Sequence, residues 1–178
     1  MYIAITITII TNTKYKMATV TFKGTPVTTN GSLPAVGSSA PDFKLVTGGL
    51  AEISLSDYKG KRVVLNIFPS IDTGVCAASV RNFNKWVASQ ENTVVVCVSK
   101  DLPFAAGRFC GAEGIENVVT ASDFRYNSFA TDYGVLMTDG VLSGLMARSV
   151  VAINENGVVT HSQLVPEIVE EPSYDVKF

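Results

Sequence analysis

Histidine, cysteine and tryptophan are scarce in this chain: one, three and one among 178 residues. A single histidine (His161) and three cysteines (Cys76, Cys97, Cys110) are too few for a Cys/His zinc site with ordinary ligand spacing. Neither a metal nor a cofactor is expected. A disulfide framework is equally unnecessary, because a chain of this length buries about 70% of its unfolded surface. A bias of charge is also missing: 14 Lys+Arg face 16 Asp+Glu, for a net charge of -2. Without a basic cluster to release counterions, nucleic acid is excluded as a partner. No apolar run reaches the 18 or so residues that would cross a bilayer, so no membrane is expected. What is abundant is apolar side chain, 47% hydrophobic against 17% charged with mean hydropathy +0.27, which excludes intrinsic disorder. A compact globular domain remains.

Residues 1–16 stand apart. Ile3, Ile5, Ile7 and Ile9 alternate with Ala or Thr, a period of two that suits a strand rather than a signal-peptide core. The leading positive charge and the small-residue cleavage site of a secretory signal are missing. The segment reads as an N-terminal extension, a tail or an edge strand, with Met17-Ala18-Thr19 as a natural start and residues 17–178 as one domain.

Beyond it, Val20, Phe22, Val27 and Thr28 are β-prone and broken by Gly24-Thr25-Pro26 and Asn30-Gly31, a hairpin signal. Val63–Phe68, Val94–Val98 and Ser149–Ile153 are continuous apolar runs, as expected of central strands covered on both faces. Helical patterns run from Gly74 to about Gln90, over Pro103–Cys110 with Gly111 as C-terminal stop, and over Phe124–Tyr133. Asn156-Gly157 predicts a type I′ turn between Ser149–Ile153 and Val158–Leu164. Alternating strands and helices closed by a hairpin give an α/β fold with a mixed sheet.

The segment richest in chemistry is Pro69-Ser70-Ile71-Asp72-Thr73-Gly74-Val75-Cys76. Cys76, Val80, Phe83 and Val87 share one helix face, and Thr73 is a plausible N-cap, which puts Cys76 in the first turn. Unpaired N–H groups and the positive end of the helix dipole favour a thiolate there. Spacing alone leaves a plainer alternative open, in which Cys76 is the first residue of an apolar stripe and Thr73 an ordinary cap. Cys97 lies inside an apolar run and reads as a core thiol. His161 falls in the last strand as a structural or exposed residue.

The pattern Pro-x-x-x-Thr-x-x-Cys after a buried strand resembles the peroxiredoxin active-site motif. Asn66–Arg81 together with Asp101–Phe104, Arg108–Gly114 and Gly144–Arg148 resembles the bacterial thiol peroxidases, a subfamily of that family, with similarity from about Val20 to Tyr174. The resemblance implies a thioredoxin-like fold with an N-terminal β-hairpin and a thiol-dependent reduction of hydroperoxides, alkyl hydroperoxides among them. It makes Cys76 the peroxidatic cysteine, Cys110 the resolving cysteine that forms a Cys76–Cys110 disulfide, and Thr73, Arg148 and Pro69 the residues that assist them. Without the family match, Arg148 would read as a surface arginine at a strand start and Pro69 as a loop stiffener. The resemblance also implies thioredoxin as reductant and a homodimer, and a transient disulfide is compatible with a cytoplasmic setting. Forming it is expected to unwind the first turn at Cys76 and the last turn at Cys110. A non-enzymatic redox switch on the same fold is the alternative, and a scaffold with inert cysteines a third reading.

Overall fold

The computed structural model describes residues 17–178; the extension expected over residues 1–16 lies outside the described residues. The elements are β1 (Thr19–Phe22), β2 (Thr25–Thr28), β3 (Lys44–Thr47), β4 (Glu52–Ser54), β5 (Arg62–Ile67), α1 (Gly74–Val87), β6 (Thr93–Ser99), α2 (Pro103–Glu113), β7 (Val119–Ser122), α3 (Phe129–Asp132), β8 (Ser149–Ile153) and β9 (Val159–Leu164). Seven strands form one mixed sheet in the order β4-β3-β7-β6-β5-β8-β9, with β5, β6 and β7 parallel and β8 antiparallel to β5. The antiparallel β1–β2 hairpin stands apart from it.

The three apolar runs are the three adjacent central strands, and their pleat divides the core. Val63, Leu65, Ile67, Val96, Val98, Val151 and Ile153 face one side, with Phe43, Phe129 and Tyr133 packed on them. Val64, Val95, Cys97, Val150 and Ala152 face the other, under Cys76, Val80, Phe83 and Phe109 of α1 and α2. Continuous hydrophobicity in these strands follows from that double covering. A third cluster of Val20, Val27, Met137, Ala147 and Ile168 attaches the hairpin.

Three local expectations change. Helix α2 runs past Cys110 to Glu113 and is ended by Gly114, at φ +62°, rather than by Gly111. The helix expected over Phe124–Tyr133 shrinks to Phe129–Asp132, because Asn127 is left-handed at φ +54° and the buried Asp123 carboxylate accepts the N–H groups of Phe129 and Ala130, starting the helix late. The β8–β9 loop is not a type I′ turn, which needs positive φ at both central residues. There only Gly157 has positive φ; its N–H donates to the Asn154 carbonyl, and the Asn154 side chain accepts the N–H groups of Asn156 and Val158. The doubly positive pair is Lys23-Gly24 (φ +52° and +78°), at the tip of the N-terminal hairpin. The short edge pair β3–β4 and strand β7 carry too little periodicity to have been read from the sequence.

Candidate active site

Strand β5 ends among the parallel strands, and the chain leaves it through Phe68, whose N–H still donates to the Val98 carbonyl (3.1 Å). Buried Pro69 starts the loop to α1. One carboxylate anchors that loop: Asp101 accepts the Ser70 hydroxyl (2.7 Å), the Ile71 N–H (2.7 Å) and the Ser99 hydroxyl (2.7 Å). Because Asp101 lies two residues before the start of α2, a single residue sets the approach to both helices.

Thr73 is the N-cap of α1, extended at φ −111° and ψ 145°, and Cys76 is the third residue of the helix. The Thr73 hydroxyl makes no capping bond to a helix N–H. Instead it lies 2.8 Å from the Cys76 sulfur and 3.1 Å from the Ser70 carbonyl oxygen. A hydroxyl has one proton, so these two acceptors compete for it. With a neutral thiol the proton can rest on the carbonyl, and with a thiolate it turns to sulfur, where the charge makes the stronger bond. The first helical bond of α1 is donated by Ala77 to the Thr73 carbonyl (2.9 Å), so the N–H groups of Gly74, Val75 and Cys76 precede the ladder.

Arg148 reaches the same sulfur from the sheet. Ser149 pairs with Ile67, so Arg148, one step before β8, lies beside the loop that follows β5. The surface reading of this arginine is overturned: it is 1% exposed. Its Nε and Nη2 donate to the Ile168 carbonyl (3.1 and 3.0 Å), and Nη2 also stands 3.4 Å from the Cys76 sulfur. Nη1 is buried with no hydrogen-bond partner among the described residues. None of the ion pairs among those residues includes Arg148. The Cys76 sulfur is thus the side-chain group that the buried guanidinium touches, and no carboxylate competes for it among the described residues.

A cavity of about 300 Å³ opens onto this arrangement. Thr73 and Arg148, the two partners of the sulfur, line it with Pro69, while Phe22, Leu142, Ile168 and Val169 form an apolar wall. The plainer reading holds for Cys76, fully buried at the head of the Val80–Phe83–Val87 stripe, but not for Thr73, whose hydroxyl caps no helix N–H. The stripe and the site coincide.

Cys110 lies in the last turn of α2, half-buried, and burial raises its thiol pKa, offset in part by a hydrogen bond with Thr120. It packs against the same core cluster as Cys76, and both are free thiols. The two helices are tied by a two-point contact of Arg81 with Glu113 (2.9 and 2.9 Å), and the loop after α2 adds the Asn117 N–H on the Asn84 side chain (2.8 Å). Arg108 pairs with Asp72 of the loop at 2.9 Å. Cys97 is 1% exposed, and burial, opposed by a hydrogen bond from Asn66, pushes its thiol pKa up to about 12. His161 is half-buried on β9, where burial lowers its pKa. Among the described residues no group of His, Cys, Asp or Glu could hold a metal, and no helix is long and apolar enough to cross a membrane.

The pattern Pro69…Thr73…Cys76 announced the first part of this site. The Asp101 anchor, the Ile168 carbonyl and the cavity wall from Phe22, Leu142 and Val169 carried no local signal, because they meet only through long-range contacts.

Residues 35–177 match the Redoxin family. The chain is 55% identical over 159 residues to a thiol peroxidase of Corynebacterium glutamicum, covering 89% of this chain and 96% of the relative. A thiol peroxidase of Mycobacterium tuberculosis is also 55% identical, over 89% and 95%. The crystal structure of a peroxiredoxin-like protein from Aquifex aeolicus superposes with TM-score 0.84 at 46% identity, over 89% of this chain and 93% of that one. The thioredoxin-like fold with its N-terminal hairpin follows from the same matches. The chain therefore belongs to the redoxin family and, within it, to the thiol peroxidases, enzymes of peroxiredoxin type.

Proposed function

We propose that the protein reduces hydroperoxides through the sulfur of Cys76, with Thr73 and Arg148 as its fixed donors and Cys110 as the resolving thiol. One observation carries the reading: the Cys76 sulfur is held between the Thr73 hydroxyl and a buried guanidinium whose Nη1 is still unpaired. The thiolate attacks the distal oxygen of the peroxide, the O–O bond breaks, and the leaving alkoxide or hydroxide takes a proton and departs as alcohol or water. Cys76 is left as a sulfenic acid. During the transfer, negative charge moves from sulfur to the two oxygens. Thr73 is placed for the oxygen bonded to sulfur and Arg148 Nη1 for the charge spreading over both, without having to reorganise. Pro69 closes the root of the pocket against water. The apolar wall of Phe22, Leu142 and Val169 supports alkyl hydroperoxides as substrates.

Cys110 gives up its proton and attacks the sulfenic sulfur as thiolate, the S–O bond breaks, the leaving hydroxide takes up a proton and departs as water, and a Cys76–Cys110 disulfide forms. Two cysteines bond only with their Cα atoms within about 7 Å. We infer that the turns carrying both open to bring the two sulfurs together, at the expense of the Arg81–Glu113 and Arg108–Asp72 contacts. A dithiol reductant, thioredoxin in our reading, reduces the disulfide. We further infer a homodimer, action in the cytoplasm, and a single domain over residues 17–178.

Mass spectrometry of the reduced protein after one equivalent of cumene hydroperoxide tests the scheme. A new Cys76–Cys110 disulfide in the parent, with a sulfenic acid trapped at Cys76 in Cys110→Ser, is expected. Unmodified thiols in both proteins would overturn it in favour of an inert scaffold, and disulfide formation without turnover on thioredoxin would favour a redox switch.

A further inference from the structure

Apart from the Cys76 sulfur, one acceptor among the described residues aims Arg148. Both Nε and Nη2 donate to the carbonyl oxygen of Ile168, so the guanidinium follows wherever that oxygen goes. Ile168 lies after β9, outside any helix or strand, and the N-terminal hairpin holds it in place. The Ile168 N–H donates to the Thr21 carbonyl (2.8 Å), and the Thr21 N–H donates to the Pro166 carbonyl (2.7 Å). Between these two bonds sits Glu167. Its carboxylate accepts the Thr21 hydroxyl (2.8 Å), the Lys23 and Gly24 N–H groups (3.0 Å each) and the Val169 N–H (3.2 Å). The tight turn, with both residues at positive φ, turns its two N–H groups onto one anion. These bonds, the Gly24 N–H foremost, hold the carboxyl pKa at about 2, so Glu167 stays an anion throughout the physiological range.

We propose that Glu167 is a positioning residue for peroxide reduction: by clasping the Lys23-Gly24 turn to residues 166–169, it fixes the Ile168 carbonyl and so holds Arg148 against the Cys76 sulfur. The proposal rests on Arg148 acting at Cys76. Glu167 touches neither the sulfur nor the guanidinium and does not itself line the cavity, which it meets only through Ile168 and the Val169 N–H; the effect on rate that is proposed is the part that passes through Arg148. A clamp that only stabilised the hairpin would lower stability and leave that dependence absent.

A double-mutant cycle separates the two. The second-order rate constant for oxidation of Cys76 by cumene hydroperoxide is measured by quenched-flow mass spectrometry on the reduced full chain. Glu167→Ala is expected to lower it about 10- to 100-fold, the scale on which displacement of a catalytic group acts. Glu167→Gln, which keeps one acceptor oxygen, is expected to fall between it and the parent, and it replaces the alanine variant in the cycle should that variant not fold. In an Arg148→Gln background, either Glu167 substitution should change the rate less than twofold. Equal losses in both backgrounds, or no loss in either single Glu167 variant, would overturn the proposal. A parental rate in Arg148→Gln alone would instead remove the role of Arg148 on which the proposal stands.

Discussion

Replacing Thr73 by valine separates the chemistry of the site from its architecture. Valine keeps the branched shape and tolerates the extended backbone at this position, and it deletes only the hydroxyl. That hydroxyl caps no helix N–H, so the helix loses no capping bond. What disappears is one proton shared between the Cys76 sulfur at 2.8 Å and the Ser70 carbonyl at 3.1 Å. In the transition state this proton serves a charged acceptor, worth about 1.5–3 kcal/mol, whereas its resting alternative on the carbonyl is a neutral bond of about 0.5–1.5 kcal/mol. The difference, about 1–2 kcal/mol, predicts a roughly 5- to 30-fold slower oxidation of Cys76. Stability should fall only by the neutral bond, a shift in Tm of at most about 6 °C for a chain of this size. Stopped-flow oxidation by cumene hydroperoxide, followed through the lone Trp86 on α1, and a thermal melt measure both quantities. Thr73→Ser should retain the parental rate to within a few-fold. A rate within twofold of the parent would refute the donor role. A fall in Tm beyond about 10 °C would show that Thr73 is structural, since that exceeds what one neutral bond provides.

Acid should loosen the hairpin clasp. Glu167 has a folded pKa of about 2 against an ordinary value of 4.5, so the unfolded chain takes up the proton first. Its stabilising contribution is present above about pH 4.5 and lost as pH falls toward 2. The stability difference between the parent and Glu167→Gln, from urea melts, should therefore shrink through that window, and a constant difference would contradict the assignment. Cys97→Ala should cost about 1–2 kcal/mol through the lost buried sulfur and leave peroxide reduction unchanged, while Cys97 in the parent should alkylate only on unfolding; an activity loss would reveal a redox role. Gly134→Ala should destabilise by more than about 2 kcal/mol, because a Cβ there would come within 2.3 Å of the Ser32 carbonyl oxygen at a backbone φ of +67°. A parental Tm would refute that clash.

The residues that the sequence determines by itself are those whose neighbours along the chain settle the matter. Three apolar runs declared themselves as doubly covered strands, and the Thr73–Cys76 spacing declared a helix start with a sulfur in its first turn, because period and helix-start signals are local properties. The N-terminal hairpin and the core placement of Cys97 were legible for the same reason, although the turn falls at Lys23-Gly24 and Thr25-Pro26 open strand β2 rather than breaking it. Local signals were insufficient where a single contact decides the outcome. Asp123 delays α3, Gly114 rather than Gly111 stops α2, and Asn154 reshapes the last turn. The short edge strands β3 and β4 depend on sheet partners that the local pattern does not specify. The partners of Cys76 were likewise beyond local reading. The antiparallel register that pairs Ser149 with Ile67 brings Arg148 to the sulfur, and its orientation comes from a carbonyl at Ile168. That carbonyl is held in turn by a hairpin more than a hundred residues away in the chain. Such distant groups gain nothing from one another until the sheet has formed and removed them from water, and only the tertiary structure can decide which of them meet.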